Sequence, residues 1–443
     1  MNKNKPIIGL INLGCPKNQV DAEIMLGMLA DNGYKINLDQ EKADIIIINT
    51  CSFIKDAEKE SVRAIVRLAE SGKKIVITGC LAQKYKQELA EAVPEALAVI
   101  GTGDIADIVN IIDAVSKGKT GHCRVSEKPK YLQPDGINRF HISMGASAFI
   151  KIAEGCDYAC SYCIIPALRG KYRSRTKESI INEAKKLAQN GVREIIITAQ
   201  DTTSYGKDIY SKPSLPELLE KLNEISEISW IRIMYTFPSL IDNRLIQAIA
   251  GLDKVVKYID IPLQHSHPDI LRLMKRPAFD YSSLIQKLRD KIDDVAIRTA
   301  FITGFPGETE GHYEHLYDFI KTNRFDKLGV FEYSREKMAS SYRIKGQIPA
   351  KIKKSRRNKL MELQQGISLE INKGFIGKTI PVIIYTVDKS GNITGRSYRD
   401  APEIDGLVYI TPDRELIPGE VELVKITAAD EYDLFGTAIL QES

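Results

Sequence analysis

The sequence has no long hydrophobic run, no even set of cysteines and no strong excess of charge of either sign. No apolar stretch among the 443 residues approaches the roughly 20 residues that a membrane-spanning helix needs. The apolar run over residues 7–13 is too short for a secretion signal. The seven cysteines are odd in number, and a chain of this size rarely depends on disulfides. We therefore expect a cytoplasmic globular protein in which clustered thiols bind metal or take part in catalysis.

Several common functional motifs are also missing. We find no Ser-His-Asp pattern and no outstanding pair of carboxylates, so no catalytic residue is assigned. His265 and His267 are not spaced as a metal pair, and we expect them to pack at the rim of a barrel. The stretch Gly101-Thr102-Gly103 lacks the third glycine and the long helix of a dinucleotide-binding loop, so a turn is expected there.

The pattern of apolar runs predicts several domains, as the length also does. Strand and helix patterns alternate over residues 1–120, which predicts an N-terminal parallel α/β domain. Residues 121–145 lack periodicity and are expected to be a connector. Residues 146–370 hold six strand–helix units and a charged trailing helix, which predicts a partial (βα)6 barrel. Five short strands in residues 371–443 predict a small all-β barrel.

One cysteine cluster has the spacing of an iron–sulfur site. Cys156, Cys160 and Cys163 form a Cys-x₃-Cys-x₂-Cys loop after the first strand of the second α/β series. Three thiolates can hold three corners of a four-iron cluster, whose usual ligand is cysteine, and one iron would remain open. A zinc knot is the alternative, but structural zinc sites need four ligands and no histidine follows at a suitable spacing. The loop therefore favours a [4Fe-4S] cluster.

A second set of cysteines follows the strands of the N-terminal domain. Cys15, Cys51 and Cys80 each come directly after a predicted strand. Because parallel strands end at one edge of a sheet, residues distant in sequence can converge there. Cysteine is often a buried small hydrophobe without function, and we read the isolated Cys123 in that way. Three cysteines at equivalent positions instead favour a second cluster, again with one open iron.

These features resemble known enzymes. The Cys156–Cys163 loop and the barrel resemble the radical S-adenosylmethionine superfamily. With the second cysteine set and the terminal barrel, called a TRAM domain, the whole chain resembles the methylthiotransferases, on residues 14–18, 49–51, 78–80 and 156–170. The resemblance implies two [4Fe-4S] clusters and S-adenosyl-L-methionine as cofactors. It also implies a radical that removes hydrogen from an inactive carbon, where a methylthio group is then inserted.

The same resemblance implies contacts to S-adenosylmethionine at the strand ends. Tyr162 would approach the adenine, and Gln200 follows the strand where the methionine amine binds. Arg298, Gly304 and Glu308 lie on and after the fifth strand, where the ribose and carboxylate bind. Packing at the barrel rim remains an alternative for Tyr162, as a turn requirement does for the glycine.

The family divides mainly by substrate. One branch modifies tRNA adenosines, and another modifies an aspartate of small-subunit ribosomal protein S twelve, which the stretches 14–21, 261–265 and 395–406 resemble. Residues 371–443 carry seven basic and twelve acidic residues, a net charge of −5. Such a barrel suits a basic protein better than RNA. We therefore expect a protein L-aspartate methylthiotransferase, with a tRNA adenosine methylthiotransferase as the alternative.

The partners follow from this expectation. The substrate would be ribosomal protein S twelve, either free or within the small ribosomal subunit, and the chemistry needs an electron donor. Basic stretches at residues 169–175 and 351–359 could contact ribosomal RNA or be solvated surface. No feature indicates a membrane, and none demands more than a monomer.

Overall fold

The computed structural model describes most of the chain and divides it into two compact units. The described residues are 5–52, 54–142, 145–387, 391–412 and 414–439. The first unit contains residues up to 142 together with 151–158 and 163–175. The second unit contains residues 145–150, 159–162 and 176–439 among those described.

A parallel six-stranded sheet forms the framework of the first unit, with the strand order β2-β1-β3-β4-β5-β6. The strands are β1 Ile7–Asn12, β2 Lys35–Ile36, β3 Ile45–Thr50, β4 Lys74–Gly79, β5 Ala96–Ile100 and β6 His122–Arg124. The helices are α1 Pro16–Asp31, α2 Lys55–Glu70, α3 Cys80–Tyr85, α4 Gln87–Ala92 and α5 Ile108–Ser116.

The isoleucine run of β3 explains how this sheet is covered. Ile45 and Ile47 pack on one face in the core that includes residues of α1 and α5. Ile46 and Ile48 pack on the other face with residues of α2, α3 and α4. A strand buried on both faces needs an uninterrupted apolar run, as is usual in parallel sheets. The predicted parallel α/β domain is confirmed.

The strands from residue 147 to residue 332 form a second sheet and a short ribbon. They are β7 Ser147–Lys151, β8 Ala153–Glu154, β9 Arg173–Ser174, β10 Glu194–Thr198, β11 Trp230–Ile233, β12 Val255–Gln264, β13 Ala296–Thr303 and β14 Lys327–Glu332. The sheet has the order β14-β13-β12-β11-β10-β7, while β8 and β9 pair antiparallel as the ribbon. Because spatial order follows chain order and β10 to β14 pair parallel with their neighbours, the predicted partial (βα)6 barrel is confirmed.

The helices of this region connect the strands and then lead away from the sheet. They are α6 Ile165–Arg169, α7 Lys177–Gln189, α8 Lys207–Tyr210, α9 Leu215–Asn223, α10 Asn243–Gly251, α11 Pro268–Leu273, α12 Tyr281–Lys291, α13 Glu310–Asn323 and α14 Ala350–Lys373. The ribbon and α6 are grouped with the first unit. No described helix combines the length and the hydropathy needed to cross a bilayer.

The C-terminal region is a closed five-stranded barrel, as predicted. Its strands are β15 Thr379–Val387, β16 Ile393–Ser397, β17 Val408–Thr411, β18 Val421–Ala429 and β19 Leu434–Ala438. The strand β17 shows the alternation of inward and outward side chains that is typical of a barrel strand: Val408 and Ile410 are buried, while Tyr409 and Thr411 face solvent. An apolar core fills the barrel.

Some elements differ from the sequence-based expectation. The strand β6 lies within the segment expected to be a connector, where Cys123 pairs with Val99 of β5. A three-residue edge strand is too short to show a period of two, so its pattern was invisible. The stretch after β5 does form the expected turn at Thr102 and Gly103.

Candidate active site

The N-terminal cysteines follow three adjacent strands, β1, β3 and β4, at the carboxyl edge of the sheet. Cys15 precedes the first residue of α1, Cys51 follows β3, and Cys80 is the first residue of α3. The Sγ atoms of Cys15 and Cys80 lie 3.9 and 3.7 Å from one atom, the side-chain oxygen Oδ1 of Asn18. Asn18 itself is held by a hydrogen bond from its Nδ2 to the carbonyl oxygen of Thr50. Residues that are 62 positions apart in the sequence therefore meet at one point.

The shifted pKa values of the thiols also indicate that the three cysteines lie close together. Burial raises the pKa of Cys80 to about 12; Arg169 opposes the rise, while Cys15 and Cys51 add to it. Burial also acts on Cys15, but Lys17 and Arg169 outweigh it and lower the pKa of that thiol. Three thiolates this close repel one another, which a bound metal would relieve because it favours deprotonated cysteine.

A buried ionic network joins this cysteine set to the segments that flank the Cys156–Cys163 loop. The Arg169 guanidinium donates to Asn18, to Asp21 at 3.0 Å and to Glu154 at 3.0 Å. The Lys151 ammonium contacts Glu154 at 2.6 Å and also contacts Asp21. The four charged side chains are each at most 6% exposed. Buried charges are stable only when paired in this way.

This network gives Arg169 a role that sequence reasoning had missed. Burial opposes the charged form of Glu154, but Arg169 and Lys151 hold the pKa of that carboxyl well below its usual range. The sequence places Arg169 in the stretch that carries the methylthiotransferase resemblance and in a basic stretch that could contact RNA or be solvated surface. The structure instead buries it to 2% exposure. The usable signal was the position of Arg169-Gly170, shortly after Cys163.

The base of the Cys156–Cys163 loop is fixed by a close approach of two backbone segments in the first unit. The amide of Cys156 donates to the carbonyl of Gly170 at 3.1 Å. Gly155 has a φ of +79°, and a Cβ atom there would lie 2.1 Å from the carbonyl oxygen of Lys171. Only glycine fits this position. The amide of Ile165 also donates to the Cys163 sulfur at 3.4 Å.

The tip of the same loop, residues 159–162, is grouped with the second unit and is anchored there. The Ser161 amide donates to the carbonyl of Met274 at 2.9 Å, and its hydroxyl donates to that of Leu273 at 2.7 Å. Tyr162 is half-buried and packs on the apolar cluster that contains Met274 and Phe305. This packing is the alternative that the sequence had left open for Tyr162.

Arg276, which sequence reasoning did not single out, lies beside this tip. Its guanidinium stacks over the Phe237 ring at 4.5 Å and donates to the carbonyl of Pro262 at 3.1 Å. Burial would lower the pKa of Arg276, but Tyr162 and Cys160 are among the groups that raise it well above its usual value. Arg276 thus places a buried positive charge near the loop.

The strand β13 ends in a turn that holds Gly304 and Glu308 together. The Gly304 amide donates to both carboxylate oxygens of Glu308, at 3.0 and 2.9 Å. Glu308 is 2% exposed and also accepts a hydrogen bond from Arg356 at 2.6 Å. Burial opposes its charged form, yet His265, Gly304 and Arg356 lower the pKa of Glu308. The carboxylate therefore fixes the turn in which Gly304 has a φ of +71°.

The structure does not bring Arg298 together with these residues. Arg298 lies five residues before Thr303, a distance of about 16 Å along an extended strand. Its guanidinium pairs with Asp260 at 2.8 Å and with Asp405 of the terminal barrel at 3.6 Å. Gln200, in contrast, lies two residues after the carboxyl end of β10 and is half-buried.

The histidines after β12 serve as packing and capping groups. His265 is fully buried, and its Nδ1 accepts the amide of His267 at 3.0 Å. The Nδ1 of His267 accepts the amide of Asp269 and caps α11. The His267 ring also packs against His312, with 4.3 Å between the ring centroids. These contacts agree with the expected role at the barrel rim.

The residues present fit the implied cofactors. The N-terminal site offers the thiols of Cys15 and Cys80 near one amide oxygen, Cys51 close enough to act on the charge of Cys80, and the buried Arg169 to offset negative charge, as an iron–sulfur cluster requires. At the carboxyl ends of β4 and β10, the buried hydroxyls of Thr78 and Thr198 have no hydrogen-bond partner among the described residues. Buried polar atoms are normally paired, so unpaired ones at strand ends indicate room for a ligand.

Comparison with protein families divides the chain into three matched regions. Residues 8–101 match a family described as uncharacterized protein family UPF0004. Residues 150–320 match the radical SAM superfamily, and residues 376–439 match the TRAM domain.

Three curated relatives that match almost the whole chain are each called ribosomal protein uS12 methylthiotransferase RimO. The protein from Rippkaea orientalis is 46% identical over 99% of this chain and 97% of its own length. The protein from Thermosynechococcus vestitus is 47% identical over 98% and 97%. The protein from Caldanaerobacter subterraneus is 49% identical over 97% and 99%.

Solved structures share the fold at low sequence identity. The radical S-adenosylmethionine methyltransferase TsrM from Kitasatospora setae, with cobalamin and a [4Fe-4S] cluster bound, aligns with a TM-score of 0.54 and 15% identity. The alignment covers 84% of this chain and 79% of TsrM. The cobalamin-dependent radical enzyme OxsB aligns with a TM-score of 0.51 and 12% identity, over 82% and 56% of the two chains.

Proposed function

We infer the function from one premise: this chain belongs to the RimO family of ribosomal protein uS12 methylthiotransferases. It is a radical S-adenosylmethionine enzyme, because its barrel matches that superfamily over residues 150–320. Its substrate is ribosomal protein uS12, the protein S twelve of the sequence-based expectation, and the tRNA alternative is not favoured. We propose that the methylthio group is added to the β-carbon of an aspartate.

We propose that the chain holds two [4Fe-4S] clusters. Cys156, Cys160 and Cys163 would hold one of them, and the N-terminal cysteines would hold the other. When bound, the clusters supply the electron that cleaves S-adenosylmethionine and an iron site for the sulfur that is transferred. The observation that carries this proposal is the approach of Cys15 and Cys80 to Asn18. Cysteines without a shared function have no reason to converge.

The remaining residues of the site bind and position. We propose that Tyr162, Gln200 and Gly304 contact S-adenosylmethionine at the carboxyl ends of the strands. Glu308 would act through the turn, because its carboxylate already accepts the Gly304 amide and the Arg356 guanidinium. Arg298 was expected among these contacts, and its pairing with Asp260 supports a structural role instead.

The domain limits and the cellular setting are further parts of the proposal. We propose domains at residues 1–120, 146–370 and 371–443, with a connector at 121–145; each family match falls within one of these domains. The protein would work as a cytoplasmic monomer with a separate electron donor. Its seven free cysteines suit a reducing compartment.

Iron analysis and activity test the two-cluster proposal. The reconstituted wild type should bind about eight irons per chain and should cleave S-adenosylmethionine when reduced. Replacing Cys15, Cys51 and Cys80 with Ala should leave about four irons and should keep cleavage but abolish modification of uS12. Replacing Cys156, Cys160 and Cys163 should abolish both activities. A triple Cys15/Cys51/Cys80 variant that still binds the full iron would refute the N-terminal cluster, and Cys123→Ala is the matched control.

Mass spectrometry tests the substrate. In cells that lack the gene, the aspartate of uS12 should lose its methylthio mass while tRNA methylthio groups stay at wild-type levels. A normal uS12 together with a lost tRNA mark would overturn the assignment of the aspartate.

A further inference from the structure

One segment of the second unit carries an unusual concentration of positive charge. Residues 335–359, here called the basic segment, contain ten Lys or Arg and one Asp or Glu, a net charge of +9. The whole chain has a net charge of +4 and the terminal barrel, residues 371–443, has −5. Outside the basic segment and that barrel, 45 basic and 45 acidic residues cancel. The positive charge of the protein is therefore concentrated in this segment.

Most of these cations face solvent without a counter-charge. Eight of the ten are exposed, while Lys353 is half-buried and Arg356 is buried against Glu308 and Glu310. No described carboxylate forms an ion pair with any of the exposed eight. They are Arg335, Lys337, Arg343, Lys345, Lys351, Lys354, Arg357 and Lys359. The acidic residue within the segment, Glu336, is 6% exposed and adds little negative surface.

The lysines at the start of α14 do not favour helix formation. The helix α14 starts at Ala350 with no acidic residue in its first turn, where the helix dipole favours acidic side chains. Lys351 and Lys354 are three residues apart, as are Lys354 and Arg357. Like charges at this spacing destabilise a helix by about 0.2–0.5 kcal/mol per pair. Local rules are broken in this way mainly at functional sites.

The basic segment is also anchored to the reaction machinery of the second unit. The Ser341 amide donates to the carbonyl of Ser161, between Cys160 and Tyr162, at 2.8 Å. The Lys353 side chain covers Gly304, whose Cβ position would lie 2.1 Å from its Cγ atom. A partner that binds the basic segment would therefore lie close to the loop tip, residues 159–162, and to the turn after β13.

We propose that the basic segment is a docking surface for the RNA of the small ribosomal subunit, so that the enzyme meets uS12 on the ribonucleoprotein. This inference rests on the proposed uS12 substrate. Exposed cations without an ion-pair partner, concentrated in one segment, match a phosphate backbone, which supplies most of the non-specific affinity of nucleic-acid-binding proteins. This proposal favours RNA-bound uS12 over free uS12 as the substrate, a choice that the sequence leaves open.

The test compares two variants of the cluster-loaded, full-length protein, each with four lysines replaced by glutamate. The docking variant carries Lys337→Glu, Lys345→Glu, Lys351→Glu and Lys354→Glu. The control carries Lys185→Glu, Lys207→Glu, Lys291→Glu and Lys321→Glu, four exposed lysines on other helices. Both variants change the net charge equally, and Lys→Gln versions check that any loss does not come from new repulsion. Circular dichroism and thermal unfolding confirm that each variant folds.

Binding is measured to small ribosomal subunits and to naked small-subunit ribosomal RNA. The docking variant should bind both at least about tenfold more weakly than the control at physiological salt. The slope of log affinity against log salt should flatten by about 3, since four phosphate contacts are removed. The docking variant should modify free uS12 at the same rate as the control variant. Equal binding of RNA by the two variants would overturn the proposal.

Two other results would overturn it in favour of a different occupant. A docking variant that loses its rate with free uS12 would place the segment on the protein substrate. A salt-dependent dimer in sedimentation, lost in the docking variant, would assign the segment to the acidic barrel of a second copy. RNA binding is read without turnover, so a wild type that binds RNA but modifies no uS12 would count against the proposed function alone.

Discussion

Arg169 connects the Cys15 motif with a residue that precedes Cys156, all within the first unit. Its guanidinium contacts Asn18 and Asp21, from the Cys15 motif, and Glu154, which precedes Cys156. A lysine could supply the charge, but only the planar fork of arginine reaches several acceptors at fixed angles. The residue therefore links the geometry of one cysteine set to that of the other.

Arg169→Met should destabilise the protein strongly. Asp21 and Glu154 would keep only Lys151 as a buried counter-charge, and breaking a buried ionic network in this way costs about 3–5 kcal/mol. Urea unfolding of the iron-free protein measures the effect, and Arg169→Lys should recover part of it. The control is Arg124→Met, because Arg124 is 65% exposed and should cost less than about 1 kcal/mol. Similar losses for the two Met variants would contradict the role of the network.

Glu308→Gln should weaken the binding of S-adenosylmethionine by about tenfold. The neutral amide pairs poorly with Arg356, and the Gly304 amide loses a charged acceptor, which is worth about 1.5–3 kcal/mol. Calorimetric titration with S-adenosylmethionine measures the change. Glu310→Gln is a matched control, since Glu310 also pairs with Arg356 but is 65% exposed. If both variants bind equally well, the buried turn does not position the cofactor.

At the scale of elements, the ribbon of β8 and β9 depends on a glycine. A Cβ atom at Gly155 would meet the Lys171 carbonyl, whereas one at Gly33, with a similar φ of +77°, meets nothing within 4 Å. Gly33→Ala should therefore cost only the backbone strain, about 1–3 kcal/mol. Gly155→Ala should cost clearly more, measured by urea unfolding, and should lower the iron content toward one cluster. Equal effects of the two substitutions would show that the close approach is not required.

The terminal barrel and the radical SAM sheet share a buried ionic contact in the second unit. Glu194, at the start of β10, contacts Arg396 of β16 and Arg232 of β11. Burial alone would raise the pKa of Glu194, but the two guanidinium groups lower it to about 2 from its ordinary value of 4.5. Because the folded pKa is depressed, the stabilisation is complete above pH 4.5 and is lost as the pH falls toward 2.

Glu194→Gln should therefore lower the unfolding free energy most at neutral pH. Removing one partner of a buried pair costs about 3–5 kcal/mol. The difference from the wild type should shrink as the pH falls from 5 to 3, because the Glu194 carboxyl takes up a proton in the unfolded wild type there while it stays charged in the folded protein. Urea unfolding across this range measures it. Glu220→Gln, at an exposed position, should change stability by less than about 0.5 kcal/mol. A difference that is independent of pH would contradict the argument.

Most elements could be predicted from the sequence because their patterns are strong. The strands of the parallel sheets are long apolar runs: the sequence pattern predicts strands over residues 194–198 and 296–302, within one residue of β10 and β13 at each end. The short edge strands β2 and β6 are not predicted, because two or three residues carry no period. For β12 the pattern predicts residues 258–261, whereas the strand runs from Val255 to Gln264.

The residues of the site were harder to predict than the elements. The cysteines could be found because their spacing and strand-end positions are local properties. The burial of Arg169 and Arg276 could not be predicted, because an arginine in the sequence gives no sign of whether it will be buried. Arg298 lies on the predicted strand, but its pairing with Asp260 depends on its depth along that strand, which the sequence pattern does not give.

At the scale of the whole molecule, charge is divided between two surfaces of the second unit. The basic segment carries +9 and the terminal barrel −5. On the barrel, Glu415 and Glu420 are exposed acidic residues in and near the turn before β18. Ribosomal proteins are basic because they bind RNA. A protein substrate in a ribonucleoprotein thus offers both signs of charge, and the enzyme carries a complement for each.

The acidic barrel should set the affinity for uS12. Glu415→Lys with Glu420→Lys should raise the KM for free uS12 by about tenfold, since complementary charge speeds and stabilises encounter. The rate at saturation and the cleavage of S-adenosylmethionine should not change, because neither residue lies at the carboxyl ends of the β10–β13 strands. Steady-state kinetics with free uS12 test this, and Glu220→Lys with Asp253→Lys, two exposed positions on the radical barrel, is the charge-matched control. If both pairs raise KM equally, net charge rather than the barrel surface attracts the substrate.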